Sequence, residues 1–201
     1  MANVKSRREM YAEATRAAIV DAATTLFAEH GFAATSLEDV AAAAQVTRGA
    51  VYHHFAGKQA LFEAVFDEQE RHMTERITAT VAEHDDPWEG SLAAIDTFLE
   101  LCLDPVYTKL AWQEGPAALG LTGWKECEEK YALGLVKASM TMLIEAGYIE
   151  PKAIDTTVKF VFQIFGAAGM AMADTPEADR PRLKTECADV MRRMLTGLRA
   201  P

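Results

Sequence analysis

At 201 residues the chain is long enough for one large domain or two small ones, and with half of its residues apolar it can bury a real core. Its formal net charge of −10 argues at first sight against a nucleic-acid partner. No run of about 18 uncharged apolar residues suggests a membrane span, and the basic N-terminus MANVKSRREM lacks the apolar region of a secretory signal, so a soluble cytoplasmic protein is expected.

Residues 1 to about 8 read as a disordered basic arm. A first helix follows from about residue 8 to 30, with Ile19, Ala22, Ala23, Leu26 and Phe27 on one apolar stripe. Gly31 is placed to stop it. The stretch 35–58, TSLEDVAAAAQVTRGAVYHHFAGK, predicts two short helices joined by a tight turn. Thr35 or Ser36 caps the first, with Glu38 or Asp39 three residues on. Leu37, Val40, Ala41 and Ala44 fall at helical spacing on one side. Thr47 is positioned to cap the second helix, in which Val46, Ala50, Val51 and Phe55 share one face and Arg48, Gly49, Tyr52 and His53 share the other.

That second face has groove chemistry. The fork of Arg48, at the N-terminal end of its helix, matches O6 and N7 of a guanine. Gly49 and Ala50 are small enough for close backbone approach, and Tyr52 and His53 can donate to phosphate oxygens. Lys58 adds a point charge near the start of the next helix. Spacing alone also fits an ordinary helix pair with a solvated face.

The stretch IVDAATTLFAEHGF followed by TSLEDVA and VTRGAVYHHFAGKQALF resembles the N-terminal domain of tetracycline-repressor (TetR/AcrR) family transcription regulators over roughly residues 15–66. The specific parts are the aliphatic-Tyr-x-His-Phe-x-x-Lys run at 51–58 and the Phe-x-x-x-Gly-Phe ending at 27–32. The resemblance implies a ligand-responsive, sequence-specific DNA-binding regulator. It points to Thr35, Ser36, Thr47, Arg48, Gly49, Tyr52, His53 and Lys58 as the DNA-binding set, with Thr15 and Arg16 as further phosphate contacts. The family usually has a glycine in the turn before the recognition helix, where Ala44-Gln45 stands here. A left-handed non-glycine residue costs about 1–2 kcal/mol, so this turn is expected to be shifted or slightly strained.

Division of the charge removes the objection to DNA. Residues 1–60 hold six bases and six acids, a balance of 0, so residues 61–201 carry all of the −10. A few phosphate contacts suffice for salt-dependent binding, and acid elsewhere repels DNA from the wrong face.

Beyond Gly57 the pattern stays helical to Pro87, with Leu61, Phe62, Val65 and Phe66 facing the small domain and Met73, Ile77 and Val81 continuing the stripe. Asp86 and Pro87 start a helix running to about residue 103. Asp104-Pro105 starts a short one that ends at Gly115-Pro116. Gly120 and Gly123 mark a loop, a long helix follows to Ala146 and Gly147, and Pro151 introduces another through about Ala173. The last runs from about Pro181 to Leu198. The chain is all-α: a three-helix helix-turn-helix domain at 1–60 and a larger helical effector-binding and dimerisation domain at 61–201. The helix at 157–173 is apolar nearly all round, and Gly166 and Gly169 would let a second helix come close. Together with the stripe Leu183, Cys187, Val190, Met191, Met194 and Leu198, it predicts a homodimer through the last two helices, as in the family; a buried intramolecular core is the alternative.

In the family the C-terminal domain is the sensor. Here Phe98, Cys102, Trp112, Trp124, Tyr131 and Phe162, with Tyr107 and Met140, are the candidate pocket residues, although such a set at helical spacing also describes plain core. An apolar lining suits a neutral or cationic hydrophobic effector, with Glu100, Glu114 and Glu128 as possible partners for a cation. Cys102, Cys127 and Cys187 show no zinc or disulfide spacing and read as small apolar residues, so no metal and no cofactor is expected. His30, His53, His54, His72 and His84 form no catalytic constellation, so no enzyme is expected. A ligand-independent architectural DNA binder is the alternative, which the acidic C-terminal part disfavours.

Overall fold

The structure, a computed structural model, describes residues 6–200. Its elements are all helical, apart from a single β-bridge between Ile149 and Arg199 among the described residues. Helix α1 (Arg7–Ala34) opens with a reciprocal capping box, in which the Glu9 amide donates to Ser6 Oγ (3.3 Å) and the Ser6 amide to Glu9 Oε2 (2.7 Å). Of the expected basic arm, residues 6–8 belong to a capped helix start, and residues 1–5 lie outside the described residues. Gly31, at φ 80°, interrupts α1 where the sequence predicts its end.

Helices α2 (Leu37–Ala43) and α3 (Arg48–His54) follow, and Gln45 makes the turn between them at φ 55°. The strain expected from a non-glycine residue thus falls on Gln45. Helix α4 (Lys58–Ala82) spans 25 residues, roughly 37 Å at 1.5 Å per residue. Leu61, Phe62, Val65 and Phe66 pack under α1, where the Phe27 and Phe32 rings lie 5.2 and 5.4 Å from Phe62. Met73 and Ile77 continue the same buried stripe beneath α5 (Pro87–Leu101). Asp86 caps α5 and Asp104 caps the short α6 (Pro105–Tyr107), each with proline at the first helical position.

One predicted boundary fails. Gly115-Pro116 does not end a helix; α6 widens into a π-helical segment (Thr108–Glu114) that passes directly into α7 (Gly115–Glu128). Pro116 lies inside this continuous helical run and can donate to no upstream carbonyl; the Ala111 carbonyl, five residues before it, accepts from the Trp124 indole N–H instead (3.0 Å). Gly115 is a packing glycine, since a Cβ there would come within 2.9 Å of Trp124 and 3.2 Å of Phe66. The break occurs at Gly120, at φ 71°. A second π-helical segment (Glu129–Leu133) joins α7 to α8 (Gly134–Glu145), and Gly147 at φ 78° ends that run.

Helix α9 (Ile154–Asp174) is long and apolar enough by length and composition to cross a membrane, with a mean hydropathy of 1.3 over its best 18 residues. It is not an uncharged run of 18 residues, because Lys159 interrupts it. Within the fold its Val158, Phe162, Ala168 and Met172 side is buried in the bundle, while Phe160, Gln163, Ala167 and Ala171 face outward. Helix α10 (Arg180–Thr196) buries Ala188, Met191 and Leu195 against α5, flanked by the ion pairs Arg192–Asp96 and Lys184–Glu100.

Candidate nucleic-acid interface and apolar cavity

The helix-turn-helix is locally determined. Ser36 and Asp39 exchange hydrogen bonds, the Asp39 amide donating to Ser36 Oγ (3.1 Å) and the Ser36 amide to Asp39 Oδ2 (3.1 Å). The Ser36 hydroxyl bond holds the Asp39 carboxyl below the usual carboxylate range. At α3 the Ala50 amide donates to Thr47 Oγ1 (3.2 Å). Val51 and Phe55 point into the core, which leaves Arg48, Gly49, Tyr52 and His53 on the open side as predicted.

The residues of this face also make contacts within the chain. Arg48 lies 2.8 Å from Glu38 on α2, and its guanidinium sits 5.4 Å from the Tyr52 ring centroid. Nothing inside the chain requires glycine at position 49, where a Cβ would meet only Thr47 Oγ1, at 3.8 Å. A small residue there matters only for what approaches from outside. His53 is exposed. Burial, then the neighbouring His53 and Arg16, lower the pKa of His54. Arg16 lies 5.1 Å from the Phe55 ring, near the C-terminal end of α3, and the Thr15 hydroxyl donates to the Tyr11 carbonyl.

Two members of the predicted DNA-binding set occupy other roles. Thr35 is 2 % exposed, and its hydroxyl donates to the carbonyls of Gly31 (2.9 Å) and Leu26 (3.2 Å). Its side chain ties the broken end of α1 instead of facing a groove. Lys58 donates from Nζ to the carbonyls of Phe32 (2.7 Å) and Ala33 (3.2 Å), and lies 4.6 Å from the Phe32 ring centroid. Its charge satisfies carbonyls freed by the Gly31 break.

Glu114, from the first π-helical segment, reaches the same place. Its Oε2 accepts from the Phe32 amide (2.8 Å) and its Oε1 pairs with Lys109 (2.9 Å). Burial alone would raise the Glu114 pKa, but the Lys109 and Phe32 hydrogen bonds outweigh it and hold the carboxyl below its ordinary value. Trp112, two residues earlier, makes an edge-on contact with Phe98 (6.3 Å between centroids) and with Trp124 (5.9 Å). A Cβ at Gly169 of α9 would collide with the Trp112 ring. Gly169 is thus spent on packing within the chain, contrary to its predicted place at a dimer contact, whereas Gly166 borders open space.

Helices α4, α5, α8, α9 and α10, with Ala132 of the second π-helical segment, line a partly open cavity of about 300 Å³. Of the candidate pocket residues, Phe98, Phe162 and Met140 are among those that line it. Cys102, Trp112, Trp124 and Tyr131 do not. Cys102, Trp112 and Trp124 fill the layer beside it, and half-buried Tyr131 stands next to the Lys130–Asp67 pair. Sequence reasoning passed over Met73, Ile77, Met191 and Leu195, because a cavity wall and a solid core share one helical stripe. Among the described residues, no charged side chain lines the cavity. Glu100 pairs with Lys184, Glu114 is engaged at Phe32, and Glu128 is buried elsewhere, so the basis for a cationic effector is gone. The lining polar groups are three hydroxyls. Ser91 and Thr157 donate theirs to the carbonyls of Pro87 and Ala153, which leaves Ser139 as the lining hydroxyl without a hydrogen bond among the described residues.

Glu70 and Glu128 are a further feature that the sequence did not reveal. Glu70 is buried and accepts from the Tyr107 hydroxyl (3.0 Å), and burial pushes its pKa up to about 7. Burial, with the nearby Glu70, pushes Glu128 up to about 8. Cys102 is buried, and burial raises its thiol pKa out of the reactive range, in keeping with a small apolar residue.

Comparison with known proteins agrees along the chain. Residues 19–65 match a family described as bacterial regulatory proteins, tetR family, and residues 88–198 match a tetracyclin repressor-like C-terminal domain. The Transposon Tn10 TetC protein of Escherichia coli is 29% identical over 161 residues, covering 79% of this chain and 78% of that protein. An HTH-type transcriptional repressor of Mycobacterium tuberculosis is 53% identical over 55 residues, covering 27% of this chain and 29% of its own length. The crystal structure of a TetR-family transcriptional regulator from Pectobacterium atrosepticum superposes with a TM-score of 0.84 at 26% identity, covering 98% of this chain and 99% of the other.

Proposed function

This chain belongs to the tetR family of bacterial regulatory proteins, and we propose that it acts as a homodimeric repressor released from its operator by an uncharged, largely hydrocarbon effector. It is a helix-turn-helix transcriptional regulator. Residues 1–60 form the DNA-reading part and 61–201 the sensing and dimerising part, with α4 crossing the boundary. Two copies joined through α9 and α10 would set their recognition helices in successive major grooves about 34–36 Å apart on a two-fold-symmetric operator. Arg48 reads base edges, and Ser36, Thr47, Tyr52 and His53 contact the backbone around it. Lys58 takes a phosphate only by sharing or releasing its carbonyl partners.

The observation that carries ligand response is the span of one π-helical segment. At Trp112 it touches the cavity wall through Phe98, and at Glu114 it holds the amide of Phe32 beside the helix-turn-helix. An occupant that displaces Phe98 moves Trp112, and with it the carboxylate anchoring the end of α1. The effector thereby prefers one spacing of the recognition helices over another, and the operator weakens effector binding by the same factor. At about 30 Å³ per water-sized group, the cavity takes a body of roughly ten or more non-hydrogen atoms, with Ser139 available to one polar group.

Selection of bound duplexes from a random pool at two salt concentrations tests the reading. A two-fold motif with half-sites one helical turn apart, released by a neutral apolar compound such as N-phenyl-1-naphthylamine, is the expected result. Failure to enrich any sequence at either salt would overturn it.

A further inference from the structure

We infer that the effector carries a neutral hydrogen-bond acceptor, a ketone or ether oxygen, that binds the indole N–H of Trp112 in an extension of the cavity behind Phe98; this rests on the apolar effector cavity proposed above. Trp112 is 4% exposed, and its Nε1 is a buried donor with no hydrogen-bond partner among the described residues. An indole N–H left unpaired in an apolar interior lowers stability, and proteins rarely keep one. Its neighbours do find acceptors. Gln113 donates from Nε2 to the Ala173 carbonyl (2.9 Å), and the Trp124 indole donates to the Ala111 carbonyl (3.0 Å).

The N–H edge has a definite place. A Cβ at Gly169 would collide with Cε2 and Cζ2 of Trp112, and Cε2 is the ring atom bonded to Nε1. That edge of the indole therefore lies against α9 at Gly169, about one turn beyond Phe165. Phe165 and Phe98 both line the cavity, their ring centroids 5.0 Å apart, and Phe98 also meets the Trp112 ring. The unpaired donor thus stands one side-chain layer behind the cavity wall. Two features that each cost stability coincide there, a glycine inside a long helix and an unsatisfied buried donor. A phenylalanine at position 112 would keep an aromatic ring against Phe98 with no donor to satisfy, so packing alone does not call for the N–H.

Rotation of Phe98 about its side-chain bonds connects the cavity to this donor. The same displacement carries an occupant's effect to Trp112 and its π-helical segment. An acceptor at Nε1 therefore favours the moved position of Phe98 with a hydrogen bond that the chain alone does not make. The indole nitrogen only donates, so the group that meets it must accept. With no charged side chain in the lining among the described residues, a neutral oxygen fits there and a carboxylate does not. A hydrocarbon of the same shape displaces Phe98 without gaining that bond, and binds about tenfold more weakly.

The test compares benzophenone with diphenylmethane, which has a methylene in place of the carbonyl, on the full chain. Each competes with N-phenyl-1-naphthylamine for the cavity while the indole N–H signals are followed by nuclear magnetic resonance, that of Trp112 assigned through the Phe98 ring. The expected result is benzophenone binding about tenfold more tightly, with the Trp112 signal moving downfield for the ketone and not for the hydrocarbon. Trp112→Phe should bring the two affinities together or favour the hydrocarbon, because the carbonyl is then buried unpaired. Ser139→Ala should leave the preference intact. Equal affinities with the Trp112 signal unmoved overturn the inference and leave the cavity standing. A preference that survives Trp112→Phe and is lost in Ser139→Ala gives the acceptor to Ser139 and also overturns it. Should Trp112→Phe fail to fold, the indole shift in the wild-type protein decides. Binding of neither compound refutes the apolar cavity itself, and this inference with it.

Discussion

Replacing Glu114 by alanine removes the side chain that spans from the first π-helical segment to the broken end of α1. The Phe32 amide loses an acceptor at 2.8 Å, and Lys109 loses its partner at 2.9 Å. A hydrogen bond to a charged acceptor contributes about 1.5–3 kcal/mol. The Lys109 pair, with its lysine side chain 34% exposed, adds less than about 1 kcal/mol after solvent screening. The expected loss is about 2–3 kcal/mol, or roughly 5–10 °C in Tm for a chain of this size. Glu114→Gln keeps an oxygen that accepts from Phe32 and should recover about half of it. The functional readout is separate from the stability one. Glu114 lies outside the cavity, so the affinity for N-phenyl-1-naphthylamine should stay within about twofold of wild type. The factor by which saturating probe weakens operator binding, measured by anisotropy on the selected duplex, should fall towards one. If Glu114→Ala loses the stability but keeps the full probe response, the coupling does not pass through this contact.

Arg48→Ala should weaken the selected operator roughly ten- to a hundredfold and relax preference at one base position, without changing Tm. Lys58→Ala should weaken all duplexes alike and also lower Tm, because its ammonium holds the Phe32 and Ala33 carbonyls; identical profiles for the two variants would refute this division. Gln45→Gly relieves a left-handed residue at φ 55° but loosens the unfolded chain, so thermal melting should show a change between zero and about +1 kcal/mol, and Gln45→Val a clear loss. Glu70 and Glu128 have folded values near 7 and 8 against an ordinary 4.5, so their contribution is complete below about pH 4.5 and is lost as pH rises to about 8. Glu128→Gln should raise Tm at pH 8 and flatten that decline, since each tenfold change in proton affinity between the folded and unfolded chain is worth about 1.4 kcal/mol; an unchanged slope would place the carboxyl in contact with water.

Local rules made much of this protein legible. The capping serine and threonine, the stop at Gly31, the starts at Pro87 and Pro105 and the open face of α3 all follow from short-range sterics and hydrogen bonding, which a sequence displays directly. The family resemblance added the identity of the DNA-reading part. Other features depended on residues far apart in the chain. Thr35 looks like a groove contact until Gly31 breaks α1 and its carbonyls claim the hydroxyl, and Lys58 is drawn to carbonyls at the same break. Gly115 looks like a terminator until Trp124 and Phe66 are found against it. Whether an apolar stripe becomes wall or filling is settled by the spacing of five helices. Phe98 and Phe162 therefore line the cavity while Trp112 and Trp124 do not, though all four carry the same signal. Periodicity tells which side of a helix turns inward; only the packed bundle determines whether another side chain or an open space meets it there.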